Sequence, residues 1–233
     1  MEIRKRRIIF GLIGLLLASS SFSQEKKIAA GILVNISGQV WIQKLGENKF
    51  VRAKSGEIIY EGDTIKTDPN SRAGLVLKDG GEIKISQNTV LTVDKTVIMM
   101  GQMRSRINLN KGKIYNKVYG LRKVDIKTPI AVCAVRGTEY QTEVEEDGAT
   151  AVIVVAGTVS VENEFGSVLV SPGQMSQVKP GKAPEPPQKL DEKKIKEETS
   201  WHQEIKIEKK ILRIKIGTDK GKEEKTIELR FRK

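Results

Sequence analysis

The chain has 233 residues, with 41 lysines and arginines, 29 aspartates and glutamates and one histidine, so its formal net charge is +12. This length fits one good-sized domain with an appendage, and a hydrophobic fraction of 38% is enough for a core. One cysteine and one histidine are too few for a Cys/His zinc site, and they leave Ser-His-Asp chemistry a single imidazole. We therefore expect no metal, no cofactor and no catalytic residue.

Residues 1–23 have the pattern of an export signal. Basic residues at 4–7 precede an apolar run at 8–18, and small polar residues follow it up to Gln24. A run of this length is short of the roughly 20 residues that a membrane-spanning helix needs. We expect a signal peptide cleaved before Gln24, and a mature chain without a transmembrane span in the periplasm or outside the cell. An uncleaved anchor is the alternative.

The sequence pattern of residues 24–180 predicts one all-β domain. Apolar residues recur at every second position, as in Ala73, Leu75 and Leu77, and this period of two is typical of half-buried strands. Hairpin turns are predicted at 79–81 and 147–148, where Asp-Gly pairs interrupt the alternation. Many short strands with such turns favour an antiparallel structure that is closed or has two layers.

A proline-rich segment at 181–189 follows this domain. It contains almost no apolar side chain, and proline favours extended backbone without amide donors. The segment is therefore predicted to be a semi-rigid linker or a strap along the surface.

Residues 190–233 form a basic tail, predicted to be a short charged helix followed by a β-hairpin. Leu212, Ile214 and Ile216 alternate with cationic residues, which gives the hairpin one apolar and one cationic face. A lone hairpin is marginal in water, so the apolar face must dock, either on its own domain or on a partner or membrane. The basic face suits an anionic envelope polymer, and a merely solvated face is the alternative. An exported protein rarely meets nucleic acid, so none is expected as a partner.

Five short segments resemble the FecR domain. They are EGDTIKTD (61–68), AGLVLKDGGEIKI (73–85), IKTPIAVCAVRGTEYQTEV (126–144), AVIVVAGTVSVE (151–162) and VSPGQMSQV (170–178). The resemblance spans about residues 32–180. It implies a two-layer, jelly-roll-like β-sandwich outside the cytoplasmic membrane, which in regulatory members relays a signal from an outer-membrane receptor to a cytoplasmic sigma factor.

The sequence departs from the pattern of those regulators at its N-terminus. Regulatory members carry a sizeable cytoplasmic segment before a transmembrane helix, whereas seven residues precede the apolar run here. The departure leads us to expect a stand-alone exported FecR-like protein.

The residues of the FecR-like motifs are predicted to be mainly structural, with contact to a partner as the alternative. Asp63 and Thr67 suit turn-stabilising hydrogen bonds to the backbone, and Pro129 suits a strand start or edge. The full set is Gly62, Asp63, Thr67, Thr128, Pro129, Arg136, Gly137, Thr138, Gly157, Gly173 and Gln174.

Arg136 follows an apolar run and precedes a turn. Its five donors suit a carboxylate or several carbonyl oxygens. We expect it to pin a loop by pairing with Asp63 or Glu139, with recognition of an anionic ligand or partner as the alternative.

Three further features receive structural interpretations. The acidic residues at 143–147 lack the convergent geometry of a calcium loop or a glycosidase pair, and they are predicted to be an exposed strand end. Cys133 is expected to be buried as a small hydrophobic residue. His202, beside Trp201, is expected at the surface.

The sequence leaves three hypotheses for function. The first is a non-enzymatic exported domain that binds an envelope protein or an anionic envelope polymer. The second is a periplasmic component of a FecR-type sigma-regulator system that acts through a separate membrane protein. The third, a polysaccharide-acting enzyme using Glu143 and Glu145, is the least favoured because no clear acid pair is present.

Overall fold

The computed structural model describes residues 27–94, 97–99, 102–120, 123–207, 212–217 and 224–229. The predicted export signal lies outside these residues. Within the described part of the chain, no helix is both long and apolar enough to cross a membrane.

The described chain is built mainly from β-strands, which confirms the predicted all-β class. One short helix, α1 (Glu192–Thr199), continues into a 3-10 turn at Ser200–Glu204. The strands are β1 (Ala29–Ser37), β2 (Val40–Gln43), β3 (Phe50–Arg52), β4 (Ile58–Tyr60), β5 (Thr64–Thr67), β6 (Arg72–Leu77), β7 (Glu82–Ile85), β8 (Val90–Val93), β9 (Val97–Met99), β10 (Gln102–Lys117), β11 (Lys123–Lys127), β12 (Val132–Arg136), β13 (Glu139–Val144), β14 (Thr150–Ala156), β15 (Val159–Asn163), β16 (Gly166–Val170), β17 (Gln174–Val178), β18 (Gln188–Lys189), β19 (Leu212–Gly217) and β20 (Glu224–Leu229).

The strands of the domain form two layers that share β10. The front sheet has the order β4-β1-β6-β7-β10-β13-β14-β17-β18. The back sheet has the order β3-β2-β5-β8-β10-β11-β12-β15-β16, and β9 pairs with the start of β10. Both predicted Asp-Gly hairpins are confirmed, as β6–β7 and β13–β14.

One pairing corrects the expectation of a wholly antiparallel structure, because β10 and β11 run parallel. The second half of β10 pairs within the front sheet, whereas β11 lies beside the first half of β10 in the back sheet. The chain must therefore return from one layer to the other between these strands. A crossover of this kind delivers the next strand in the same direction as the first.

Gly112 is the point at which β10 passes from the back sheet to the front sheet. The register with β8 shifts between Leu109 and Lys111, and pairing with β13 begins at Gly112. Gly112 has a φ of 90°, and a Cβ there would lie 2.5 Å from the Cα atom of Thr89. Only glycine meets both the conformation and the close approach.

The alternation of apolar residues fills the space between the two layers. Residues such as Leu75 and Ile83 of the front sheet and Ile107 and Ile126 of the back sheet belong to one continuous buried cluster. Cys133 is part of it, with no exposed surface, as predicted. Burial raises the pKa of its thiol to about 12, so the thiol stays protonated at neutral pH.

The proline-rich segment runs along one side of the sandwich. The backbone amide of Glu185 donates to the Gln177 carbonyl over 2.8 Å. The side-chain amide of Asn163 donates to the Lys182 carbonyl over 2.7 Å. Pro184 is buried. Because Gln177 lies in the front sheet and Asn163 in the back sheet, the segment connects the two layers at their open side, as a strap does.

The first part of the basic tail, residues 190–207, lies on the outer face of the front sheet. The Trp201 indole N–H donates to Gln141 Oε1 over 2.7 Å, and the His202 ring stacks on Tyr115 with 3.7 Å between ring centroids. Lys84 Nζ donates to the His202 carbonyl over 3.0 Å. His202 thus lies on the outer face of the sheet, as expected, but it is half-buried because its ring stacks on Tyr115.

The second part of the tail forms the predicted hairpin of β19 and β20. Its register places Leu212 opposite Leu229 and Ile214 opposite Ile227. The question of where its apolar face docks concerns side chains outside the described residues.

Replacing Gly112 with alanine should destabilise the whole domain, because the new Cβ would meet backbone atoms of Asn88 and Thr89 at 2.5–2.8 Å. We expect the free energy of unfolding to fall by about 2–4 kcal/mol. Gly46→Ala is the matched control, since Gly46 has a φ of 79° but nothing within 4 Å of its Cβ position. For Gly46→Ala we expect the free energy of unfolding to fall by about 1 kcal/mol. Equal losses in urea unfolding of the two variants would contradict this role of Gly112.

The docking of residues 190–207 should weaken as the pH falls. Burial of His202 lowers the pKa of its ring, as do the nearby ammonium groups of Lys84 and Lys117, while the Thr199 carbonyl and Glu139 act in the opposite direction. The docked ring thus binds a proton less readily than a free ring with a pKa of about 6.5. The neutral His202 ring therefore stabilises the docked state above the pKa of the free ring, and this stabilisation is lost as the pH falls below it.

We expect a red shift of Trp201 fluorescence between pH 8 and about pH 5.5, measured in a Trp41→Phe background. His202→Phe keeps a ring on Tyr115 that cannot titrate, so this variant should lose the pH response. An unchanged response in His202→Phe would show that another group controls the docking.

Candidate functional site

Asp63 is a buried carboxylate that fixes the turn before β5. It is 2% exposed, and it accepts hydrogen bonds from the Tyr60 amide over 2.9 Å and from the Leu45 amide over 3.3 Å. Lys44 Nζ lies 3.0 Å from Asp63 Oδ2. Gly62, beside it, donates its backbone N–H to the Val93 carbonyl. Asp63 thus joins neighbouring strands of the back sheet and presents no free carboxylate.

Thr67 and Thr128 hold turns through buried hydroxyls. Thr67 Oγ1 donates to the Ser86 carbonyl over 2.6 Å and accepts from the Thr89 amide over 3.0 Å. Thr128 Oγ1 accepts from the Ala131 amide over 3.0 Å and from the hydroxyl of Thr150 over 3.0 Å. Both hydroxyls are therefore used within the domain.

Pro129 lies in the turn between β11 and β12 and borders a cleft of about 400 Å³. Lys111, Glu146 and Asp147 also line the cleft. Lys111 Nζ lies 2.9 Å from the Glu146 carboxylate, at the exposed end of the β13–β14 hairpin. Among the residues that the structure describes, no group of three or more His, Cys, Asp or Glu side chains could hold a metal ion.

Arg136 ends β12, and its side chain lies outside the described residues. Its two proposed partners are engaged elsewhere, Asp63 with Lys44 and Glu139 with Lys117 and the Tyr115 hydroxyl. The expected pairing of Arg136 therefore stays a prediction.

Gly137, Thr138 and Gly157 come together where β12 and β14 end. Thr138 is 1% exposed, and its carbonyl accepts from the Val118 amide over 2.9 Å. Gly157 has a φ of 80°, and a Cβ there would lie 2.5 Å from Thr138 Cγ2 and 2.8 Å from the Gly137 carbonyl oxygen. This contact requires glycine at 157 and joins both motif segments.

Gly173 lies in the turn before β17, and Gln174 is the first residue of that strand. Gln174 Oε1 accepts from the Ser171 amide over 2.9 Å. The Gly173 amide donates to the Val154 carbonyl, and the Gly173 carbonyl accepts from the Leu190 amide, each over 2.9 Å. The turn thereby fixes the point at which the basic tail begins.

The motif residues are distributed over several strand junctions rather than gathered in one pocket. The structure brings together Gly137, Thr138 and Gly157, and it places Thr128 beside Thr150. Gly62 and Asp63 lie apart from both groups, against the β2–β3 hairpin. Most of the motif residues hold turns at strand ends through polar groups, whereas the buried hydroxyl of Thr138 has no hydrogen-bond partner.

Two surface features were missed by the sequence reasoning. The first is the docking of residues 190–207, for which the pair Trp201-His202 was the available signal. The second is a set of charges on the outer face of the back sheet, where β10 and β11 lie side by side. The alternation of Arg104 and Arg106, and of Lys123 and Lys127, with buried residues was the signal for this set.

Two crystal structures of one protein have a similar fold. Both, at 2.50 and 1.65 Å resolution, are of a candidate anti-sigma factor from Parabacteroides distasonis ATCC 8503. Each is 19% identical to this chain with a TM-score of 0.50, and the match covers 60% of this chain and 64% of the other. At this identity the likeness concerns the fold alone. This chain thus spans less than two thirds of that protein's structure.

No curated protein matches the sequence. The family model described as FecR protein matches residues 63–160, which run from the Asp63 turn to β15. This range includes β10 and the segments around Thr128 and Arg136 that carried the resemblance. Over residues 63–160, this chain matches the FecR domain.

Proposed function

We propose that this chain is an exported, non-enzymatic binding component of a FecR-type signalling system, and that its FecR domain acts by contacting a protein partner. Export is inferred from the basic and apolar pattern of residues 1–23. The FecR match and the anti-sigma factor of similar fold support a signalling role with a protein as partner.

One observation carries the proposal: the side chains of Asp63, Thr67, Thr128 and Gln174 are occupied in holding turns. Asp63 binds Lys44 and two backbone amides, and Thr67 and Thr128 each bind backbone groups at neighbouring turns. Residues that are occupied in this way maintain a scaffold. Recognition is then left to the outer surfaces of the two sheets.

The carboxylates of the β13–β14 hairpin support binding rather than hydrolysis. Glu143 lies 2.9 Å from Lys113 Nζ, and Glu146 lies 2.9 Å from Lys111 Nζ. A glycosidase needs two carboxyl groups that converge on one bond, whereas each of these two is paired with a lysine of β10.

Thr128→Val tests the scaffold role of the motifs. The substitution removes the acceptor of the Ala131 amide in a site that is 3% exposed, and it also breaks the bond from Thr150. We expect the free energy of unfolding to fall by about 1–3 kcal/mol. Thr158→Val, at an exposed position, is the control, with an expected change within about 0.5 kcal/mol. Equal thermal stability of the two variants would contradict the scaffold role.

The proposed function is tested by locating the full chain in bacteria and identifying what it contacts. We expect a mature N-terminus at Gln24 in the periplasmic or envelope fraction, and chemical cross-links from lysines of residues 27–207 to an envelope protein. Thr158→Val should give the same cross-links because it changes no charge. An uncleaved chain cross-linked to a sigma factor in the cytoplasm, or hydrolysis of purified envelope polysaccharide by the mature chain, would overturn the proposal.

A further inference from the structure

A compact group of charged and polar residues lies on the outer face of the back sheet, where β10 and β11 run parallel. The register places Arg104 beside Lys123, Arg106 beside Asp125 and Asn108 beside Lys127. The residues between them along the strands belong to the core or are buried, so these six face away from it. We call this group the cationic grid: Arg104, Arg106, Asn108, Lys123, Asp125 and Lys127.

The grid carries more positive charge than its own carboxylate can balance. Arg104 Nη1 lies 3.0 Å from Asp125 Oδ2, and Asp125 is 3% exposed. Arg106, Lys123 and Lys127 form no ion pair with any residue that the structure describes. The register with β8 also places Asp94 opposite Arg106. Four cations and two carboxylates leave a formal surplus of two positive charges in a small area. Such a surplus attracts anionic groups from solution.

The grid also contains polar atoms that are shielded from water and have no hydrogen-bond partner. Arg104 Nε is a donor in this state, and Asn108 Oδ1 and Asp125 Oδ1 are acceptors. Leaving such atoms unbonded costs free energy. Because the Arg104 and Asn108 side chains are partly exposed, a side-chain rotation would bring their shielded atoms within reach of a ligand that offers both N–H donors and oxygen acceptors, as a peptide does.

The spacing of the grid matches an extended peptide. Residues on one face of a strand repeat about every 6.6 Å, so each row of three grid residues spans roughly 13 Å. An extended peptide with an acidic residue at every second position has the same repeat. Arginine side chains bind carboxylates through paired hydrogen bonds, which adds geometric preference to the charge attraction.

We propose that the cationic grid is the surface that binds an extended acidic segment of the partner protein, with carboxylates at alternate positions. This inference rests on the proposed function, because it assumes that the domain acts by contacting a protein. It names the chemistry of that contact and the face of the domain that makes it.

Fluorescence anisotropy with the purified mature chain tests the proposal. The probe is a short labelled peptide of alternating threonine and glutamate. A peptide with the same composition but consecutive glutamates tests the spacing, and one with glutamine in place of glutamate tests the charge. Inorganic polyphosphate, added as a competitor, represents an anionic polymer. The alternating peptide should bind more tightly than the other two, and high salt should weaken its binding.

Arg106→Gln with Lys127→Gln is the test variant, because neither side chain forms an ion pair with a described residue and the fold should persist. We expect its affinity for the alternating peptide to fall about three- to tenfold. Lys49→Gln with Lys54→Gln is the matched control, since it removes the same charge from exposed positions around β3, at the far edge of the back sheet. The control should bind the alternating peptide like the wild type. Circular dichroism of both variants establishes that they fold.

Each other result overturns the proposal in a defined way. Equal binding of the alternating and consecutive peptides would exclude recognition of an extended repeat. Equal losses in the two double variants would show attraction by net charge alone. Polyphosphate that outcompetes the peptide at equal charge would assign the grid to an anionic polymer. An envelope protein that cross-links to the chain equally well with Arg106 and Lys127 substituted would leave the proposed function standing and remove this surface from it.

Discussion

The architecture depends on one strand that belongs to both layers. β10 pairs with β8 and β11 in its first half and with β7 and β13 in its second half. The bend at Gly112 makes this possible, because positive φ and the absence of a Cβ let the strand pass close to Thr89. With a larger residue at 112, the two sheets could not share this strand without moving Thr89. The layers are therefore positioned by one backbone conformation as well as by their common core.

The same strand gives the domain two different outer surfaces. The second half of β10 presents Tyr115 to the front, where the chain's own residues 190–207 cover it by stacking His202 on the ring. The first half presents Arg104 and Arg106 to the back, where β11 adds Lys123 and Lys127. The front face is thus partly covered by the chain itself, and the back face carries four cations, of which Arg104 is paired with Asp125. A partner attracted by charge has reason to approach from the back.

Sequence reasoning predicted the parts of this fold that depend on neighbouring residues. The alternation at Ala73–Leu77 identified β6, and the Asp79 and Asp147 turns identified two hairpins, because these signals are local. It did not find the parallel pairing of β10 with β11, since each strand has the same period of two in either direction. The His202 stack was missed for a related reason, because it joins residues 87 positions apart. Of the motif residues, the hydrogen-bonding role of Asp63 could be stated from its position before a strand, but its ion pair with Lys44 could not.

The docked tail lies outside the range of residues that matches the FecR family model. The matched range ends at residue 160, whereas the tail begins at 190 and reaches back to Gln141 and Tyr115 inside that range. Among the described residues, its contacts include the indole hydrogen bond, the ring stack, the lysine bond to a carbonyl and an ion pair between Arg72 and Glu204. The Leu190 amide and the Lys206 carbonyl add hydrogen bonds to Gly173 and Asn35. Polar contacts near a surface contribute little free energy each. The core cluster contains residues of both sheets and none of residues 190–207, so these residues are not needed to bury the interior of the sandwich. Residues 190–207 therefore form a cover added to the outer face of the front sheet, with Ile205 and Thr199 buried in it.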